Sequence, residues 1–186
     1  LRGIATAGRV VRSTVGLARH PAAEPGSPQR ARFAVEVFPV GRVIEIGQRP
    51  VTPEEIIAFA SQFDPQPFHL SEEAGRRSIY GSLIASGWHT ASMVMRMSCD
   101  AYLLDSRSMG SPGIDELRWL KPVRAGDTIR AQFEVIEIRP SKSKPDRGIV
   151  VSAWRVFNQH DEIVMTVRGM GQFLRRDSLS FRPPLQ

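Results

Sequence analysis

The feature that most limits the fold of this sequence is one long apolar run, residues 83–104, whose only ionised side chains are Arg96 and Asp100. These two residues are four apart, so on a helix they share one edge. A helix that is apolar nearly all round is a buried helix. The two charges and His89 argue against a membrane span. We therefore expect a central helix that the rest of the domain encloses.

The residues that follow this run have the sequence pattern typical of β-strands. The pattern of alternating apolar residues and turn residues predicts strands over 114–123, 128–139, 148–157 and 162–174, with one more short strand over 40–46. The alternation in the second of these slips phase at Ile136, which predicts a β-bulge. The sequence thus predicts one α+β domain, an antiparallel sheet wrapped around a long central helix, which is the hot-dog layout.

A shorter helix is expected before the central one. Thr52 is suited to cap it, Pro53 to open it and Glu55 to complete a capping box. The helix should end near Phe63, because Pro65 disfavours helical backbone at the residue before it. Its spacing predicts that four residues are buried. These are Ile56, Phe59, Ala60 and Phe63.

The distribution of charge along the chain indicates where the folded domain begins and ends. The 186 residues carry a formal charge of +6, but the excess lies at the ends, and residues 31–174 are formally neutral. We therefore expect a disordered extension over 1–37, the folded domain over 38–176 and a tail over 177–186, and no binding of nucleic acid or membrane.

The single cysteine fits a reducing compartment, which predicts a cytoplasmic protein. The alternative is an organelle matrix, if the Arg-rich first residues are a transit peptide.

The loop after the short helix carries a carboxylate and an imidazole, Asp64 and His69. Two prolines stiffen the segment between them, so both groups can converge on one water molecule, as general acid–base catalysis requires. The alternative interpretation is structural: Asp64 caps a turn and His69 is a hydrogen-bonded loop residue. A bare pair at this spacing does not decide between them.

The wider context resembles the MaoC-like, or R-specific enoyl-CoA hydratase, branch of the hot-dog fold. That family carries an Asp-x-Asn-Pro-x-His loop, which Asp64 and His69 match with Pro67 in register, and an Ile-Ala-His-Gly segment, which residues 84–87 match. Residues 117–127 resemble the strand and turn that follow the central helix in the family. Two positions depart: Gln66 stands where the family has Asn, and Ser86 where it has His. These departures leave the acyl group of the substrate open.

The resemblance implies a hydratase or dehydratase acting on an enoyl-CoA or 3-hydroxyacyl-CoA thioester. Asp64 and His69 would then be the acid–base pair, and the Gly87 N–H at the start of the central helix would stabilise the enolate oxygen. The resemblance and the position of the residues around this helix start indicate further candidates for substrate binding. These are Ser86, Trp88, Ser92, Phe63 and Met93.

Other functions and partners follow from the same reading. A hot-dog thioesterase and a non-catalytic acyl-CoA binding protein remain alternatives. No histidine has metal-ligand spacing to an Asp or Glu on one element, so we expect no metal and no cofactor beyond the coenzyme A of the substrate. A single unit leaves a strand edge open, so we expect a homodimer or a higher even oligomer.

Overall fold

The structure is a computed structural model, and it describes residues 33–38, 40–176 and 178. Within this part of the chain the strands are β1 (Val43–Pro50), β2 (Gly113–Trp119), β3 (Thr128–Pro140), β4 (Arg147–Phe157) and β5 (Ile163–Leu174). The helices are α1 (Pro53–Phe63), α2 (Pro67–Leu70), α3 (Glu72–Arg77) and α4 (Gly87–Ser98), and a π-helical turn, Cys99–Leu103, follows α4 directly.

The five strands form one antiparallel sheet in the order β1-β3-β4-β5-β2. The helix α4 buries Met93, Val94 and Met97 in a core shared with the sheet, whose side chains there include Phe133 and Met165. This arrangement confirms the predicted α+β architecture. It also explains why α4 is so apolar, since its inner face is one layer of the core.

The strand β3 shows how the alternation in the sequence positions the core. Ile129, Ala131, Phe133 and Val135 are fully buried and face α4. The register with β4 then shifts between Val135 and Glu137. The bulge predicted from the phase slip is therefore present.

The short helix α1 begins where its capping residues predict. The Thr52 hydroxyl accepts a hydrogen bond from the Glu55 N–H at 3.2 Å, and Pro53 opens the helix. The prediction of its buried face was partly wrong, because Phe59 is half-buried and Phe63 is 69% exposed. Phe63 is the last residue of the helix. Its ring packs against the ring of Phe59, with centroids 5.1 Å apart, and does not reach the core.

The central helix starts later than the apolar run predicts. Residues 83–85 are buried but extended, because the Ala85 N–H donates to the Val123 carbonyl and the Ala125 N–H to the Leu83 carbonyl. These bonds hold the segment against the loop before β3, so it cannot form a helical turn. The helix therefore begins at Gly87, with Ser86 as its N-cap.

Other boundaries also differ from expectation, beginning with β1, which spans Val43–Pro50 where residues 40–46 were predicted. The strand β2 ends at Trp119, not at Val123, because the N–H groups of Leu120 and Lys121 both donate to the Val164 carbonyl and the ladder stops there. The packed body also reaches further towards the N-terminus than Phe38, since Ala34 and Val35 are buried with it. Most of the expected extension, residues 1–32, and most of the tail, residues 177 and 179–186, lie outside the described residues.

Candidate active site

The Asp64–His69 loop is short and stiff. Asp64 ends α1, and Pro67 opens the single turn α2, which carries His69. Gln66 stabilises the loop twice, because its N–H donates to the Asp64 carbonyl and its side-chain amide donates to Asp64 Oδ1, both at 2.8 Å. The longer amide at this position thus still fixes the carboxylate.

The imidazole of His69 faces the carboxylate of Asp64. Its Nε2 lies 3.4 Å from Asp64 Oδ2, and the imidazole is buried while the carboxylate is 19% exposed. His69 Nδ1 lies 2.7 Å from the Ile84 carbonyl oxygen. A carbonyl oxygen only accepts, so Nδ1 carries a proton and donates it. In the neutral form of this imidazole, Nε2 is therefore the unprotonated nitrogen, and it is the one that faces Asp64.

Ser86 joins the helix start to this pair. Its hydroxyl donates to Asp64 Oδ2 at 2.6 Å and accepts from the Trp88 N–H at 3.2 Å, and the residue is fully buried. The hydrogen bond from Ser86 is the largest cause that lowers the pKa of Asp64. The hydrogen bond from Gln66 and, in the protonated form, the charge of His69 act in the same direction against the effect of burial. Asp64 is therefore held as a carboxylate anion.

Gly87 is the first residue of α4, and Trp119 covers it. Trp119 Nε1–H donates to the Gly87 carbonyl at 2.9 Å, and a Cβ on Gly87 would lie 2.4–2.8 Å from the indole ring. Glycine is thus required for the approach of this indole. Among the described residues, no protein group accepts the Gly87 N–H. Sequence reasoning did not connect Trp119 with this position, and the signal it offered was that Trp119 lies in the stretch that resembles the family's strand after the central helix.

The other predicted substrate-binding residues fall in different places. Trp88 is 58% exposed and meets Trp119 edge to face at 5.2 Å, and the Ser92 hydroxyl donates back to the Trp88 carbonyl. Both line an apolar cavity of about 470 Å³ between α4 and the strands β2, β4 and β5. Met93 does not line it, because its side chain points into the core. Phe63, at the exposed end of α1, is not part of its lining either.

His89 lies on the opposite side of α4 from this cavity. It is buried and stacks on Phe59, with ring centroids 4.8 Å apart and planes at 14°. Burial lowers the pKa of His89, although the charge of Glu55 opposes that effect. His89 Nδ1 has no hydrogen-bond partner among the described residues. His89 is therefore a packed histidine on the side of α4 that faces α1.

In the part of the chain that the structure describes, no cluster of three or more His, Cys, Asp or Glu side chains could hold a metal ion. The search for a membrane-crossing helix over the same residues finds none that is long and apolar enough.

An antiparallel sheet on a central helix, with a carboxylate and an imidazole at the helix start, defines a hot-dog protein with a candidate acid–base site. Residues 31–153 match the family model described as the MaoC like domain, so the chain belongs to this family. The resemblance seen in the sequence is thereby confirmed.

Individual relatives agree with this assignment. The crystal structure of the MaoC-like dehydratase from Rhodospirillum rubrum is 39% identical and covers 81% of this chain and 99% of its own, with a TM-score of 0.71. The 3-hydroxybutyryl-CoA dehydratase of Methylorubrum extorquens is 29% identical over 104 residues, which are 54% of this chain and 62% of that protein. A Mycobacterium tuberculosis protein with a double hotdog fold is 16% identical and has a TM-score of 0.65. The match spans 81% of this chain and 46% of that protein. This last likeness concerns the fold alone.

Proposed function

We propose that this protein is a hydratase or dehydratase that interconverts an enoyl-CoA and a 3-hydroxyacyl-CoA thioester. The observation that carries the proposal is the approach of His69 Nε2 to Asp64 Oδ2 beside the start of α4. The names of the Rhodospirillum and Methylorubrum relatives support the same class of reaction.

The pair can orient one water molecule. Asp64 is held as an anion and His69 Nε2 offers a lone pair, so a water within hydrogen-bond reach of both would donate one proton to each. The free lone pair of that water then points at the substrate. In hydration the water oxygen bonds to Cβ, the electrons of the Cα–Cβ double bond move to the thioester oxygen as an enolate, and one water proton passes to the pair. The pair then delivers a proton to Cα as the enolate returns to the thioester. Dehydration is the reverse.

The thioester carbonyl belongs at the start of α4. Negative charge develops on its oxygen as the enolate forms, and the unpartnered Gly87 N–H together with the positive end of the twelve-residue helix would stabilise it. Trp119 would fix the position of this first turn through its hydrogen bond to the Gly87 carbonyl.

The cavity along α4 is suited to an acyl chain. It begins at Trp88, next to Gly87, and runs past Ser92 and Met95 towards the π-helical turn. Its volume lies within the usual range for small-molecule sites. We therefore assign the substrate-binding role to Trp88 and Ser92 from the predicted set, with Met95 taking the place expected for Met93.

We also propose that the active unit is a homodimer. The strand β2 pairs only with β5, and its other edge is open in the described chain. Large apolar side chains next to that edge are exposed, among them Ile114 at 57%, Met95 at 55% and Trp119 at 45%. Pairing with a second copy would cover this edge and one flank of the site.

The test is an assay of crotonyl-CoA and longer 2-enoyl-CoAs that follows both the absorbance of the conjugated double bond and the release of free thiol. Loss of the double bond without thiol release is the expected result. Thiol release with the double bond intact would establish a thioesterase instead. Binding with neither change would establish an acyl-CoA binding protein, and either outcome overturns the proposal.

A further inference from the structure

The cavity along α4 is not apolar throughout. Most of its wall consists of aliphatic and aromatic side chains, but polar ones gather at the end next to the π-helical turn. We call this group the polar end. Its members are Ser98, Tyr102, Ser152 and Trp154.

The indole N–H of Trp154 favours an acceptor at the polar end. Its Nε1–H is buried, and the acceptor near it is the Tyr102 hydroxyl, which lies beyond ordinary hydrogen-bond distance. The ring cannot turn away easily, because β4 places it between Phe133 and Val167 on the neighbouring strands and it packs on Phe133 at 5.2 Å. Buried donors without a partner are rare and costly, so each calls for an acceptor.

Tyr102 adds a hydroxyl beside that donor. Its side chain is buried, and both Ser98 and Trp154 lie close enough to influence its hydroxyl. Burial raises the pKa of Tyr102, so the hydroxyl stays protonated and can donate. The Ser98 hydroxyl already donates to the Val94 carbonyl, which leaves its oxygen as an acceptor.

The strand opposite leaves room for a ligand. Gly169 pairs with Ser152 in the sheet, and a Cβ on Gly169 would meet its neighbours only at ordinary distances, 3.5 Å and beyond. Packing therefore does not demand glycine at this position. The effect of the missing side chain is to leave the cavity open in front of the buried Ser152.

We propose that the polar end binds an oxygen atom on the acyl chain of the substrate, so that the site prefers chains carrying a hydroxyl or oxo group far from the thioester. This inference rests on the proposed function, since it places the thioester at Gly87. Eleven residues of helix separate Gly87 from Ser98, which is about 16 Å at 1.5 Å per residue. An extended chain advances about 3.5 Å for every three bonds, so the oxygen should stand about fourteen bonds from the thioester carbonyl.

Binding of non-reactive thioesters tests the inference separately from catalysis. Saturated acyl-CoAs of one chain length, with a hydroxyl or oxo group at successive positions or with none, are titrated into the full chain by calorimetry. Saturated chains have no double bond to hydrate, so affinity alone is measured. We expect an oxygen near the predicted position to tighten binding about tenfold, since it would gain hydrogen bonds to the hydroxyl groups of a buried site.

Two variants assign the preference to the polar end. Tyr102→Phe and Ser152→Ala each remove one hydroxyl and keep the shape of the side chain, and each should reduce the preference severalfold. Leu117→Ala is the matched control, because Leu117 lines the same cavity without a polar group and does not flank Trp154, and it should leave the preference unchanged. Melting curves of all variants identify any that fail to fold, in which case the other variant decides.

The outcomes separate the two proposals. Equal affinity for all chains in the unmodified protein, or a preference that both variants retain, would overturn the inference and leave water as the occupant of the polar end. A preference for the oxygenated chain that the variants abolish, in a protein that hydrates no enoyl-CoA, would support the inference while overturning the proposed function.

Discussion

The Ser86 hydroxyl donates a 2.6 Å hydrogen bond to Asp64 Oδ2, the oxygen that also faces His69 Nε2 at 3.4 Å. Ser86 is at the same time the N-cap of α4. One side chain therefore aligns the carboxylate of the acid–base pair and the helix start that would hold the thioester oxygen. The family pattern has histidine at this position, and the serine supplies a short, buried donor in its place.

Replacing Ser86 should shift the pH dependence of the reaction. The hydrogen bond from Ser86 lowers the pKa of Asp64, so Ser86→Ala raises it towards its ordinary value. More of the carboxyl is then protonated at low pH. The acid limb of the pH profile of kcat/KM should move to higher pH, with a smaller effect at neutral pH.

Ser92→Ala is the matched control for that experiment. Its hydroxyl donates only to the Trp88 carbonyl on the same helix, so its removal should leave the acid limb in place. An acid limb in the Ser86 variant that coincides with that of the unmodified protein would show that Asp64 is not the group that titrates.

The acid–base pair itself should be indispensable. Asp64→Asn and His69→Ala should each lower kcat by about 10²–10⁴-fold, the usual contribution of a positioned acid or base. The decrease in absorbance of a 2-enoyl-CoA measures the rate, and the melting temperature checks the fold. His160→Ala, in the exposed turn between β4 and β5, is the control and should retain full turnover. Near-complete activity in either site variant would refute the assignment.

Local signals predicted those parts of the fold that depend on neighbours in sequence. Thr52 and Pro53 define the start of α1, and the alternation from Ile129 to Val135 defines the buried face of β3. The start of α4 was mispredicted, because the Ala85 N–H bonds to the Val123 carbonyl, 38 residues away. An apolar sequence is compatible with a helix or a buried extended segment, and only this long-range bond decides.

In the candidate site, too, the sequence predicted the local features and missed those that depend on long-range contacts. Asp64 and His69 could be found because they lie on one short loop and match a family motif. The cover that Trp119 places on Gly87 joins residues 32 apart, and no spacing rule connects them. Phe63 looked like a core residue by its helical period, yet the helix ends there and leaves it exposed.

The contact between Gly87 and Trp119 predicts a stability effect that depends on both residues. Gly87→Ala places a methyl group against the indole, and overpacking of this kind costs about 1–3 kcal/mol. Urea unfolding should show that loss in the unmodified background. In a Trp119→Ala background the obstacle is gone, so the same substitution should cost much less. An equal penalty in both backgrounds would mean that the indole does not constrain Gly87.

His89 should make stability depend on pH. Burial lowers the pKa of His89 below its ordinary 6.5, so the unfolded chain binds a proton at pH values where the folded chain does not. Stability is therefore complete above about 6.5 and falls as the pH drops towards the folded pKa. Urea unfolding between pH 7.5 and 5 should show this fall.

His89→Phe keeps a ring on Phe59 and removes the titration, so it should flatten that part of the curve. The exposed His160→Gln is the control and should retain the slope of the unmodified protein. An unchanged slope in the His89 variant would assign the pH dependence to other groups.

The last prediction concerns the open edge of β2. If a second copy pairs there, sedimentation at micromolar concentration should report twice the 20.7 kDa of one chain, or a higher even multiple. Ile114 lies on this edge and is 57% exposed, and a charge on an edge strand opposes pairing. Ile114→Lys should therefore shift the protein towards the monomer and lower activity with it, because the flank of the Asp64–His69 site would open to water. Ile79→Lys is the control, since Ile79 is 95% exposed on the loop after α3 and not on this edge. A fully active monomer would contradict both the assembly and the closed site that it is proposed to complete.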